Sequence, residues 1–138
     1  MKILFCGSAG FIGRAVANLL GRDHSITDFN RRDGRDMISW ETVRDTVPGH
    51  DLIIHFGAAR VGRRNFVSGD TGPSHDIVGT TNFTRAAYEN GIPLVYASSI
   101  RVYGSEEEMM GGETVNINPR DAYGIVKQKC EAIIQNSG

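Results

Sequence analysis

Cysteine is scarce in this chain of 138 residues, and the two present, Cys6 and Cys130, make neither a zinc-ligand spacing nor a disulfide framework. No metal centre is therefore expected, and a reducing, cytoplasmic setting is. Net charge is equally scarce, with 15 Lys and Arg against 16 Asp and Glu. Without a global field nothing recruits nucleic acid or an acidic membrane surface, so any partner must be recognised locally. No apolar run approaches the length of a membrane span, and Met1 to Phe5 is too short for the apolar core of a signal peptide, so a soluble chain is expected. Internal repeats and low-complexity tracts are absent. The length suits one compact domain with a single core.

What the chain does have stands at its beginning: KILFCGSAGFIG, Lys2 to Gly13, a short apolar run followed by Gly7, Gly10 and Gly13. Ile3, Leu4 and Phe5 read as a buried parallel strand, and a helical pattern starts at Phe11. Strand, glycine turn and helix together make a phosphate cradle. Glycine admits positive φ and lets backbone approach a pyrophosphate, while the unpaired N–H groups at a helix start supply donors and positive potential. The spacing is G-x-x-G-x-x-G, a variant of the G-x-G-x-x-G dinucleotide fingerprint. The other reading is a tight turn whose glycines serve packing alone.

Along the chain, Phe11, Ile12, Ala15, Val16, Leu19 and Leu20 predict a first helix with one apolar stripe against the sheet, ending near Gly21. A second strand is expected over His24 to Phe29, broken by Asn30 to Gly34. A very short third strand around Arg35 to Met37 fits before Ser39, which caps a helix running to about Val47. Asp51 to Phe56 is the next buried strand, followed by small residues at Gly57, Ala58 and Ala59 that admit a ligand close to the backbone. Arg60 to Pro73 reads as a loop. Ile77, Phe83, Ala86 and Ala87 mark a helix closed at Asn90 and Gly91. Pro93 to Ala97 is a further strand, Gly104 to Asp121 a loop, and Ala122 to about Gln135 the last helix. Alternating strands and helices call for an α/β fold: a doubly wound parallel sheet with ligands beyond the carboxyl ends of its strands.

Chemistry is carried by Ser99, at the end of the strand before the last loop, and by Tyr123 and Lys127, four positions apart on one helical face. A phenol acting as a base near neutrality requires a nearby cation, which Lys127 supplies, and Ser99 is placed to position a substrate hydroxyl or carbonyl. His55 reads as a strand residue rather than a ligand. Arg60, Arg63 and Arg64 read as solvated loop, with a contact to a substrate diphosphate as the other option.

GSAGFIG at Gly7 to Gly13, DLIIHFGAA at Asp51 to Ala59, DIVGTTNFTRAA at Asp76 to Ala87, YASSIRVYG at Tyr96 to Gly104 and YGIVK at Tyr123 to Lys127 jointly resemble the amino-terminal part of an extended short-chain dehydrogenase/reductase. The resemblance is to the NAD-dependent epimerase/dehydratase family acting on nucleotide sugars, and it covers nearly the whole chain. It implies a Rossmann-like domain, here Met1 to Gly138, with the carboxy-terminal substrate domain missing. It implies a catalytic triad of Ser99, Tyr123 and Lys127, with Tyr123 the acid/base and Lys127 also touching the nicotinamide ribose. Cofactor positions implied are the cradle at Gly7, Gly10, Phe11, Ile12 and Gly13, the adenine-facing Asp36 and Met37, and Phe56, Gly57, Ala58 and Ala59 along the dinucleotide. A nucleotide-sugar substrate follows from the same resemblance, and it admits a homodimer.

The chain departs from the family pattern in three places. Asn30 stands where an acid bonds the adenosine ribose in NAD enzymes, followed by Arg31 and Arg32, and an arginine there suits a 2′-phosphate. NADP is accordingly favoured over NAD, unless the strand ends two residues earlier and Asp28 is the ribose ligand. Asp76 stands where the family usually has Asn. The short segment from Asn30 to Met37 and AARVG at Ala58 to Gly62 look more like the nucleotide-sugar ketoreductase branch. Three functions remain open: a nucleotide-sugar epimerase or dehydratase, an NADPH-dependent keto-sugar reductase, and a dinucleotide-binding module without catalysis.

Overall fold

The computed structural model describes residues 1–58, 72–104, 110 and 116–137. Four strands, β1 (Lys2–Cys6), β2 (Ser25–Phe29), β3 (Leu52–His55) and β4 (Leu94–Tyr96), form one sheet in the order β2-β1-β3-β4, every pair parallel. Helices α1 (Phe11–Leu20), α2 (Trp40–Thr46), α3 (Gly72–Asn90) and α4 (Ala122–Gln135) complete the fold, with short 3-10 turns at Arg31–Asp33 and Ile100–Tyr103. The chain leaves β1 for β2 on one side and returns to β3 on the other. That reversal opens a crevice beyond the carboxyl ends of β1 and β3, where an α/β sheet accepts ligands.

From Ile3 to Cys6 β1 is apolar and buried because both faces of the sheet are covered. Its side chains alternate: Leu4 and Cys6 join the core beneath α2 and α3 with Phe29, Val43, Ile53 and Phe83, whereas Ile3 and Phe5 pack with Ile54 on the opposite face. Ile3, Leu4 and Phe5 have no accessible surface, and burying each stabilises the fold by about 1.5–3 kcal/mol.

Three expectations are corrected. The strand around Arg35 to Met37 does not form. Asn30 accepts hydrogen bonds from the Arg32 and Asp33 amides at 2.9 and 3.2 Å, and Gly34 closes the turn at a φ of +73°, so the backbone is bent away from the edge of β2. Met37 then enters the core. The stripe of α1 is also rotated from the expected one. Phe11, Ile12 and Leu19 are 92, 66 and 61% exposed, and Val16, Ala17 and Leu20 face the sheet. Gly13, on that same face, must lie against the β1–α1 turn, and this sets the helix rotation. Third, the helix expected after Pro73 already begins at Gly72. A proline in a first turn gives up only an amide that has no helical partner there. The rest of the expected loop, from Arg60 with Arg63 and Arg64, lies outside the described residues.

Candidate functional site

The turn after β1 is shaped by three glycines with different tasks. Gly7 has a φ of +95°, and a Cβ on it would stand 2.6 Å from the Phe56 carbonyl carbon and 2.7 Å from the Gly57 nitrogen. The ends of β1 and β3 are therefore in backbone contact at the crevice. Gly13 brings α1 down on the turn, since a Cβ there would collide with the Gly7 carbonyl. Gly10 is the open one. Its amide donates to Gly7 O at 3.0 Å, its φ is −70°, and an added Cβ would meet only Gly7 O, at 3.1 Å. α1 starts there with no capping side chain and no acidic residue in its first turn, which leaves the positive end of the helix uncompensated by side chains.

Beside this turn lies a hollow of about 140 Å³. It gathers Gly7, Asn30, Arg31, Asp36, Met37, Gly57 and Ala58 from three separate stretches of sequence, together with Arg35, which sequence reasoning did not single out. Asp28 is not among the lining residues and its side chain is exposed on β2. The Asn30 side chain is engaged in its own turn, its amide donating to Asp33 Oδ2 at 2.6 Å. The cations that face the hollow are Arg31, with Nε 3.6 Å from Asp36 Oδ2, and Arg35, whose Nη1 donates to Asp28 O at 2.6 Å. Cys6 forms part of the floor, and burial pushes its thiol up to about 12, so it is neutral there. The far wall is tied to α3 by Asn82, whose Nδ2 donates to Met37 O at 2.9 Å, and by Gly79, where any Cβ would strike Met37.

Phe11 and Ile12 project outward at the start of α1, not into the hollow. Phe56 turns its ring to the opposite face, edge-on to Phe5 at 5.2 Å, so only its backbone borders the crevice. Ala59 lies outside the described residues.

Past β4, Ser99 caps the 3-10 turn, accepting from the Arg101 amide at 3.3 Å. That turn is locked to α4. Asp121 caps the helix by accepting from Gly124 N at 2.7 Å and takes a second bond from Arg101 Nη1 at 2.5 Å. The Gly124 amide first, and then Arg101, hold the Asp121 carboxyl below the usual range. Gly124 permits the approach, because a Cβ on it would lie 2.5 Å from Arg101 O. Ser99 and the first turn of α4, with part-buried Tyr123, are thus held at the same edge of the sheet.

Lys127 is anchored at the end of β4. It is buried, and its Nζ donates to Ala97 O at 2.8 Å and to Tyr96 Oη at 3.0 Å, while the Tyr123 ring centroid is 5.9 Å away. A desolvated ammonium takes fixed acceptors within reach, and the end of β4 provides two. Burial lowers its pKa and the charge of Asp76 is the leading influence in the other direction. His55 is a core residue, as expected, with Nε2 3.1 Å from Thr80 Oγ1. Among the described residues no cluster of His, Cys, Asp or Glu suits a metal, and no helix is long and apolar enough to cross a membrane.

The chain has relatives among known proteins. UDP-glucose 4-epimerase of Pisum sativum is 26% identical over 98% of the chain and 47% of its own length. The solved UDP-N-acetylglucosamine 4-epimerase from Bacillus cereus is 27% identical with a TM-score of 0.82, covering 96% of this chain and 52% of that one. A short-chain dehydrogenase/reductase superfamily protein from Agrobacterium tumefaciens, solved with bound NAD, is 25% identical with a TM-score of 0.83 over 99% of this chain and 44% of that one. The chain thus spans about half the length of these relatives. Residues 3–138 match the model of the NAD dependent epimerase/dehydratase family, and the chain belongs to that family.

Proposed function

We propose that the chain binds a nicotinamide dinucleotide along the carboxyl edge of the sheet and serves a nucleotide-sugar epimerase or dehydratase. The observation that carries this reading is that Gly7, which opens the glycine turn, borders the hollow together with Gly57, Ala58, Asp36 and Met37. The residues fit the cofactor: the start of α1 carries neither a capping nor an acidic side chain, so its first amides are free for a pyrophosphate, and Gly10 puts no side chain over them. Gly57 and Ala58 would lie along the dinucleotide, and Asp36 and Met37 would face the adenine. When bound, the nicotinamide supplies hydride acceptance and return. The chain's own part is proton handling and orientation. Tyr123 Oη takes the proton of a sugar hydroxyl and gives it back, Ser99 Oγ orients that oxygen, and the Lys127 ammonium supports the phenolate and reaches the nicotinamide ribose.

Arg31 and Arg35 at the hollow support a second reading, an NADPH-dependent reductase of a keto sugar. Net consumption of cofactor separates the two, since an epimerase returns what it takes. An arginine fork on a 2′-phosphate is worth roughly 1.5–3 kcal/mol. Because Arg31 is 61% exposed and already beside Asp36, the lower end applies, and a preference of about tenfold for NADP(H) over NAD(H) is expected. Calorimetric titration of both cofactors into the chain and into Arg31→Ala tests this: the substitution should erase the preference. Equal affinities in the unaltered chain would remove the assignment of Arg31 to the 2′-phosphate.

A further inference from the structure

We propose that Tyr96 is the positioning residue for Lys127, holding its ammonium at the end of β4 where the dinucleotide's ribose is expected; this rests on the reading above. Lys127 Nζ donates to the Ala97 carbonyl at 2.8 Å and to the Tyr96 phenol oxygen at 3.0 Å, and it stands 4.6 Å from the centroid of the Tyr96 ring. Backbone fixes the first acceptor. The second is fixed through the sheet: Tyr96 is the ladder partner of His55, their rings are 5.4 Å apart, and His55 is itself held by Thr80 on α3 and by the Phe83 ring at 5.0 Å. A side chain as long as lysine has many rotamers, and two fixed acceptors leave it one place to put its charge.

The site accordingly holds two phenols with different tasks. Burial first, and then neighbouring Cys130, push the Tyr96 phenol well above its ordinary value, so it stays protonated and offers lone pairs to the ammonium. Tyr123 keeps the proton-carrying task. The titratable groups facing Lys127 are His55 on β3, Tyr96 on β4, Asp76 on α3, and Tyr123, Cys130 and Glu131 on α4. Of these, Tyr96 accepts a hydrogen bond from Nζ, which makes it the one to change.

Tyr96→Phe keeps the ring that packs on His55 and deletes only the acceptor. Two measurements on the chain test the proposal. In lysine-labelled NMR spectra, the Lys127 ammonium signal should exchange faster with water and its titration should move to lower pH in Tyr96→Phe. This readout needs no cofactor. In calorimetric titrations with NADPH, Tyr96→Phe should weaken binding by about tenfold, on the scale of a hydrogen bond to a charged group, yet cost nothing further in a Lys127→Met background. Unchanged Lys127 exchange and titration, or equal losses in both backgrounds, would overturn the positioning role. Failure of the dinucleotide reading looks different: the unaltered chain would not bind NADPH or NADH, whatever the Lys127 signal does.

Discussion

Tyr123→Phe is expected to lower turnover of a nucleotide sugar about 10²- to 10⁴-fold, the range for removing a positioned acid/base, and to leave dinucleotide affinity nearly unchanged. The aromatic ring stays, and with it the packing of the first turn of α4, which Asp121 and the Gly124 contact with Arg101 already fix. Only the proton carrier goes. Conversion of a panel of nucleotide sugars by a complete enzyme carrying the unaltered or the substituted segment is the check, with cofactor titration of the chain alongside; the 138 residues alone are expected to convert sugars slowly. Undiminished turnover would remove Tyr123 from the mechanism. Parallel loss of turnover and cofactor affinity would instead mark a residue needed for structure.

Acid should unfold this protein early, and His55 is the reason. Burial first, and then the Lys127 charge, push its imidazole down to about 3 from an ordinary value of 6.5. In the unfolded chain it protonates at its ordinary value, so below about 6.5 the unfolded state binds a proton that the folded state refuses. The stability it contributes is complete above that pH and is lost as pH falls toward about 3. At about 1.4 kcal/mol per pH unit the loss reaches roughly 4–5 kcal/mol, most of the stability of a domain at the low end of the 5–15 kcal/mol range. Urea midpoints between pH 7 and pH 4.5 measure it. His55→Gln, which retains a side-chain hydrogen-bonding partner for Thr80 without titrating, should show a distinctly flatter decline. Equal slopes for the two chains would contradict the assignment.

The parts of this fold that were legible in sequence are those where local chemistry leaves little choice. A run such as Ile3-Leu4-Phe5 can only be buried, and Gly7 at positive φ against the next strand end needs a residue without Cβ. Ser39 caps α2 because it has an amide three residues on, that of Thr42, to satisfy. What was not legible depends on distant packing. The partners of Lys127 are chosen by which acceptors the end of β4 presents to a buried ammonium, and helical spacing to Tyr123 says nothing of that. Arg35 and Asn82 act across gaps in sequence, one on Asp28 O and one on Met37 O. Asn82 alone left a faint signal, an amide among the apolar positions of α3. The strand expected around Arg35 to Met37 failed for the same kind of reason: Asn30 spent its side chain turning the backbone away.

The central claim is that the Gly7–Gly13 turn cradles a dinucleotide, and Gly10 is the position that isolates it. Substitutions at Gly7 or Gly13 would strike backbone and disturb folding, whereas Gly10 has an ordinary extended conformation and a single close neighbour, so Gly10→Val should fold with its branched side chain over the turn. Titrate NADPH and NADH into the unaltered chain and into Gly10→Val, following the thermal transition of each. The account predicts saturable binding by the unaltered chain, weakened by about tenfold or more in the variant, with the transition preserved. Equal affinity in both chains, or no binding of either cofactor by the unaltered chain, would contradict it.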